Sequence, residues 1–373
     1  MKFQISSSTL LNCLQMADRA VAPNNVITIL ENILMEIDDT KLTIIGSNLE
    51  NTIITSTEID STGAHLSIAL PHIVVETVKN MPKQPIEIEI NENNLEVFIK
   101  SSTGMFNCIA LSGNEYPQPI DINTERDSIQ VPANVILTSV SKTINSTATD
   151  EIRPTMTGVY FDFTPEMFTC VATDAHKLSR QSFTNIKSET PRSFILPKKS
   201  AILLKGLISP NDTTPAFVIF DEKNIIFQLD SATVICRQIE GKYPNYNGVI
   251  PKDNPYELII ENETLRNALR CVSNYSNQAT QLIKFHVYEN VLELTAQDVD
   301  TSRSGREELA CQYNGNEMTI GFRGPQVAEV LASIEHQTVR IQLADSSRPA
   351  IFLPFEQREN ENLLNLIMPM LIN

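Results

Sequence analysis

Apolar residues along the chain keep switching between two periods. Between Ser6 and Ala20 they recur every three or four positions, which puts Leu10, Leu11, Leu14 and Ala17 on one face of an expected helix, with serines available as N-cap. Period-two runs follow at 33–37, 41–46, 52–58 and from Ala64 to Leu70, each reading as a strand. A second helical pattern covers Pro71 to Met81, with proline at the first helical position, where its missing N–H is an orphan anyway. Strands at 86–90, 95–100 and 106–111 complete the series. The order helix, strands, helix, strands then returns, with helical patterns at 132–145 and 197–208, and again at 262–274 and 323–334.

The recurrence extends to residues. Leu42-Thr43-Ile44-Ile45-Gly46-Ser47-Asn48 returns as Phe168-Thr169-Cys170-Val171-Ala172-Thr173-Asp174 and as Leu292-Glu293-Leu294-Thr295-Ala296-Gln297-Asp298. Leu70-Pro71-His72, Leu196-Pro197-Lys198 and Phe322-Arg323-Gly324 repeat at the same spacing, as do Glu115-Tyr116-Pro117 and Lys242-Tyr243-Pro244. Three unrelated markers at one period predict three similar α+β domains in tandem, spanning 1–122, 123–251 and 252–373. The period exceeds the roughly 20–50 residues of a solenoid unit, so each copy is expected to own a core. Seams are expected at Asp121-Ile122-Asn123 and Pro251-Lys252-Asp253.

Composition narrows the setting. Six scattered cysteines without a Cys-x-x-Cys pair, and no leader pattern, suit a reducing cytoplasm. Apolar stretches such as 363–372 fall short of the roughly 20 residues a membrane span needs. The formal charge of −16 argues against nucleic acid when taken as a sum. Its distribution argues otherwise, because the six helical segments carry a net +5 and leave −21 for the rest. The bland reading is that lysine and arginine are common on solvated helical faces. The sharper one is a single basic face of helices, where phosphate is tolerated, against an acidic exterior that repels it.

Catalytic constellations are thin. The chain has no phosphate loop, Gly-x-Gly-x-x-Gly, His-Glu-x-x-His or nucleophile elbow, and its five histidines are not paired at ligand spacing. Asp174 and His176 read as a turn-capping carboxylate beside an exposed imidazole rather than an acid–base pair. No catalytic, metal or cofactor site is expected. At the end of the chain, Leu363 to Ile367 reads as a last edge strand. Pro369 then stops the ladder and leaves Met368-Pro369-Met370 lying across the surface as adaptable apolar contacts.

These features together resemble the β sliding clamps, the processivity subunits of bacterial DNA polymerase III. The motifs that carry the resemblance are Val171-Ala172-Thr173-Asp174-Ala175-His176-Lys177-Leu178, Gly241-Lys242-Tyr243-Pro244-Asn245-Tyr246 and Met368-Pro369-Met370, within a likeness covering the whole length. The resemblance implies three clamp domains, each of two helices packed on antiparallel sheets, forming half of a homodimeric ring with helices lining the hole. It implies a non-catalytic, cofactor-free protein that encircles double-stranded DNA without sequence preference. Its partners would be the polymerase catalytic subunit, the clamp loader and other replication and repair proteins, docked through a Gln-Leu-x-Leu-Phe peptide.

Carried over by position, the peptide cleft comprises Met156, Thr173, Ala175, His176, Lys177, Leu178, Pro244, Val249, Ile367, Met368, Pro369 and Met370. Met156, Leu178, Val249 and the methionines supply an apolar floor, with His176 and Lys177 as polar handles at its rim. The DNA-facing role falls on Lys142, Lys198, Lys199, Arg266 and Arg270, and ring closure on Ile73 and Phe106 against Tyr275. Departures from the family pattern are Leu371 where arginine is usual, Ala175 where glycine is usual, Gly248 and Thr280 in place of larger residues, and Asn24 and Asp150 at DNA-contacting positions. The competing readings are a protein-binding scaffold that never encircles DNA and, third, an enzyme using Asp174 and His176.

Overall fold

The computed structural model describes residues 1–62, 65–120, 127–150 and 152–372. Ala64, expected to open a strand, and the seam at Asp121-Ile122-Asn123 lie outside the described residues. All six expected helices form: α1 (Ser7–Asp18), α2 (Ile73–Lys79), α3 (Ala133–Thr143), α4 (Lys198–Leu207), α5 (Asn262–Ser273) and α6 (Gly324–Ser333). Each is entered directly or within two residues from a strand. On α1, Leu10, Leu14 and Ala17 are buried as the spacing required, joined by Cys13, while Leu11 is only half-buried. The expected serine cap does not form: the Ser6 side chain engages the Ser8 hydroxyl instead of a backbone N–H.

What ties off the first helix of each copy is a backbone bond. The N–H of Ser7 donates to the Gln84 carbonyl at 2.9 Å, that of Ala133 to Thr214 at 3.0 Å and that of Asn262 to Gln337 at 2.7 Å. In every copy the acceptor is the residue just before the strand that pairs with the one entering the helix, so each bond carries that antiparallel ladder one rung further into the helix start. Two copies add a side-chain version: the Ser7 hydroxyl donates to the Pro82 carbonyl and accepts from the Gln84 N–H, and the buried Asn262 amide donates to the carbonyls of Leu331, Ile334 and His336.

The chain divides into two compact units, Met1–Val135 with Ile202–Gln238, and Ile136–Ala201 with Ile239–Asn373. The division runs through α3 and α4 rather than along the sequence period, because the middle copy lends one of its sheets to each unit. In the first unit a nine-stranded antiparallel sheet continues from Asn51–Glu58 into Thr233–Arg237, with Ile53 opposite Val234. In the second, Lys177–Phe183 pairs with Glu361–Ile367, with Leu178 opposite Leu366. Glu361–Ile367 also pairs with Ala350–Pro354 on its other side. The last strand is therefore central in its nine-stranded sheet and not the edge strand its position at the end of the chain suggested. Its run of buried residues from Leu363 to Ile367 is what a strand covered on both faces requires.

Each unit also holds a smaller sheet. Lys2–Ser6, Ser61–Thr62, Pro85–Asn91, Glu96–Lys100 and Met105–Ile109 form one, under which α1 and α2 bury Phe3, Ile86, Ile88, Val97 and Ile99. Leu282–Tyr288, Val291–Asp298, Arg303–Ala310 and Met318–Arg323 form the other, covering Leu265, Leu269, Val327 and Leu331 of α5 and α6.

The repeated segment that marks the period is the first strand of a hairpin in all three copies, and in two the turn is identical. Asn48 Oδ1 accepts from the N–H groups of Glu50 and Asn51, and Asp174 Oδ1 from those of His176 and Lys177. The preceding hydroxyl, Ser47 or Thr173, accepts from the residue that sits left-handed, Leu49 at φ 70° or Ala175 at φ 73°. The small residue of the marker has its own reason: a Cβ on Gly46 would stand 2.0 Å from the Ala17 carbonyl oxygen of α1.

Candidate functional site

The expected cleft residues all lie in the second unit, and the tail brings four of the twelve together around one cavity. Beyond Ile367 the Met368 N–H donates to the His176 carbonyl at 2.8 Å, and the Met370 N–H donates to the Gly321 carbonyl at 2.8 Å. These two bonds stretch the tail between the Asp174 turn and strand Met318–Arg323. His176, Met368, Pro369 and Met370 then share the lining of a cavity of about 380 Å³ with Ala279, Thr280, Arg323 and Gln326. Asp174 is committed to the turn as an acceptor, and His176 stands exposed beside it. This is the turn-capping arrangement expected, and it does not aim the carboxylate at the imidazole.

Leu178 and Ile367 are fully covered and act from beneath. Leu178 belongs to a cluster with Val171, Tyr243, Leu364 and Leu366. Tyr243, next to Pro244, stacks on Tyr160 with ring centroids 4.7 Å apart, which fixes the loop that carries Val249. Val249 itself is 55 % exposed, so the apolar surface available to a ligand is Val249 with Met368 and Met370, while Met156 and Thr173 are buried. Met156, Pro244 and Val249 do not line the cavity at the tail.

Two expectations need correction. Lys177 is not a rim handle: its side chain is buried, its ammonium pairs with Glu329 of α6 and it lies 3.7 Å from Asp174. Lys142 does not face outward on α3. It is 7 % exposed, and its ammonium donates to the Ser333 carbonyl at 2.6 Å and pairs with Glu335 at 2.7 Å. Burial pushes the Lys142 pKa below its ordinary value in spite of that partner. At Glu335, which is largely in solvent, the Lys142 bond prevails over burial and holds the carboxyl low. The lysine thus bears most of the desolvation of the pair.

With Lys142 inside, and Arg19 and Arg323 just outside α1 and α6, the basic surplus rests on α4 and α5. Lys199 and Arg270 are exposed and Lys198 and Arg266 half-buried. Arg266 and Arg270 line an open polar hollow with Asn267, Glu263 and Gln337.

The residues named for ring closure flank unpaired sheet edges. Phe106, 44 % exposed, sits on Met105–Ile109, which among the described residues pairs only with Glu96–Lys100, and Ile73 is exposed at the start of α2. Tyr275 is exposed beyond α5 and packs on Gly305 of Arg303–Ala310, which among the described residues pairs only with Val291–Asp298.

Sequence reasoning missed Arg323, Gln326 and Ala279. Arg323 stood inside a repeat marker, but nothing local showed that the tail would bridge to Gly321 beside it. Among the described residues no three His, Cys, Asp or Glu side chains are placed to hold a metal ion, and no helix is long and apolar enough to cross a membrane.

Comparison with known proteins bears on all of this. Residues 1–120, 130–245 and 247–371 match the N-terminal, central and C-terminal domain models of the DNA polymerase III beta subunit. The chain is 26 % identical over 371 residues to the beta sliding clamp of Haemophilus influenzae, covering 99 % of this chain and 100 % of the relative. It is 25 % identical to that of Bacillus subtilis, with 99 % of each covered. Among solved structures, the beta subunit from the DNA polymerase of Streptococcus pyogenes superposes with a TM-score of 0.93 at 23 % identity, and a Pseudomonas aeruginosa sliding clamp bound to griselimycin with 0.92 at 22 %, each covering 100 % of both chains. At that identity the superpositions speak to the three-domain clamp fold, while the unbroken order of the three domain models speaks to descent. The chain belongs to the DNA polymerase III beta subunit family.

Proposed function

We propose that this protein is a DNA sliding clamp, two copies of which close head to tail around duplex DNA and tether the replicative polymerase for processive synthesis. The observation that carries the reading is the match of three consecutive beta-subunit domains from residue 1 to 371. Support comes from the two unpaired edges. Met105–Ile109 of one copy and Arg303–Ala310 of another each offer an open ladder beside exposed apolar side chains, the arrangement a heterologous closing contact needs. Phe106 and Ile73 would meet Tyr275 across that joint.

On this reading the repeats divide at 1–122, 123–251 and 252–373, and Lys198, Lys199, Arg266 and Arg270 meet phosphates without reading bases. Partners, namely the polymerase catalytic subunit, the clamp loader and repair proteins, dock a Gln-Leu-x-Leu-Phe segment. Its leucine and phenylalanine cover Val249, Met368 and Met370, and its glutamine faces Thr280, Arg323 and Gln326. Two such anchors contribute roughly 3–6 kcal/mol before ordering costs, the range of an exchangeable complex.

The test is topological. Loaded protein should stay on a nicked circular plasmid and leave once the plasmid is linearised, and its mass in solution should be that of two chains. A monomer at every concentration, or equal retention on circle and line, would overturn the reading in favour of a scaffold.

A further inference from the structure

The outward face of the sheet formed by Leu282–Tyr288, Val291–Asp298, Arg303–Ala310 and Met318–Arg323 carries a second groove, of about 660 Å³. Its floor is Leu282, Lys284, Thr295 and Gln297, one side is Gly305 and Arg306, and the other is the chain's own Met370 and Leu371. The two cations in it differ. Arg306 is committed to Glu293 and Glu308. Lys284 has Thr295 and Gly321 as cross-strand neighbours and, among the described residues, pairs with no carboxylate. Leu371 stands at the mouth of the groove, 91 % exposed, next to a half-buried Leu282. An uncommitted ammonium beside uncovered apolar side chains calls for a ligand that brings both an anion and a hydrocarbon group.

The groove is continuous with the cavity at the tail, since Thr280 and Met370 line both. A docked peptide whose glutamine lies against Thr280, Arg323 and Gln326 therefore has its preceding residues directed over Met370 and into the groove. We propose that this groove is an extension subsite for the segment just before the docking motif, selecting an extended stretch with one acidic residue for Lys284 and one aliphatic residue for Leu282 and Leu371. The inference rests on the peptide-docking reading above and adds a preference to it. Three to five extended residues span about 10–17 Å, enough to lie along the sheet.

The test compares two labelled peptides by fluorescence anisotropy, Gln-Leu-Ser-Leu-Phe and Leu-Glu-Ser-Gln-Leu-Ser-Leu-Phe, on the full-length protein and on Lys284→Gln and Leu371→Ser. The longer peptide should bind about tenfold tighter to the native protein, combining a modest ion pair with partial burial of a leucine. Each substitution should remove part of that gain while leaving the pentapeptide unchanged, which also serves as the control for correct folding. A longer peptide that binds no better than the pentapeptide, or a loss equal for both peptides, would overturn the proposal while the cleft reading stands. If the pentapeptide fails to bind the native protein, the cleft reading falls, and the extension subsite with it.

Discussion

Lys142→Met separates a structural lysine from a DNA-contacting one in a single variant. Methionine keeps the stem volume in a site where the native side chain is 7 % exposed, so no sizeable cavity opens. What disappears is the ammonium bonded to the Ser333 carbonyl at 2.6 Å, itself on a buried residue. Leaving that acceptor without its donor costs about 1–3 kcal/mol. Against this stands the desolvation of the ammonium, whose lowered pKa shows that burial is not fully offset by Glu335. Glu335 is left with Arg358 at 3.1 Å, in solvent, where the pair contributes little. The net expectation is a loss of about 1–2 kcal/mol, read as a lower urea midpoint for the circular-dichroism transition.

The pH dependence has a definite sign. A lysine whose native pKa lies below 10.5 binds fewer protons folded than unfolded, so its contribution to stability rises with pH between the native value and 10.5. The native protein should therefore gain on Lys142→Met as pH climbs through that window. The second measurement is the slope of log K against log salt for DNA, which should not change, whereas giving up one phosphate lowers its magnitude by about 0.9. A flattened slope with an unaltered urea midpoint would refute the assignment and return Lys142 to the DNA path.

Two further outcomes are expected. Lys198→Ala with Lys199→Ala, at the start of α4, should flatten the same salt slope by up to about 0.9 for each phosphate no longer neutralised, with little change in the urea midpoint; an unchanged slope removes both from the DNA-facing set. Ala175→Gly relieves a left-handed alanine at φ 73°, a conformation that costs roughly 1–2 kcal/mol, against about 0.4–1 kcal/mol of added unfolded-chain entropy. Thermal stability should hold or rise slightly, and a clear fall would show that the turn relies on the alanine methyl.

Helices and hairpins were legible because their signals are local. Leu10, Leu14 and Ala17 sit a turn apart, and the Asn48 and Asp174 turns are built within four residues. Pairings across the chain were not legible. Leu363 to Ile367 is as apolar as a covered strand should be, but only its partner at 177–183 reveals that it is central, and no local pattern names that partner. Lys142 on an amphipathic helix reads as a surface residue until Glu335 and Ser333 are brought to it from a different copy. The backbone bond at the start of each first helix is made by Ser7, Ala133 and Asn262 alike, and since Ala133 makes it with no polar side chain, no residue pattern announces it. The cleft was half legible: its motifs mark the turn and the tail, while Arg323 and Gln326 come in at the start of α6.

The central place of Glu361–Ile367 sets a timetable for biosynthesis. Strand Lys177–Phe183 leaves the ribosome nearly 180 residues ahead of the partner that will cover its open side. At 5–20 residues per second that is roughly 10–35 seconds with an uncapped ladder, long enough for encounters with other nascent chains. The nascent protein thus carries that open flank for about half of its translation, and the same late strand that closes it also delivers the methionine tail, so the proposed docking surface matures only when the sheet does.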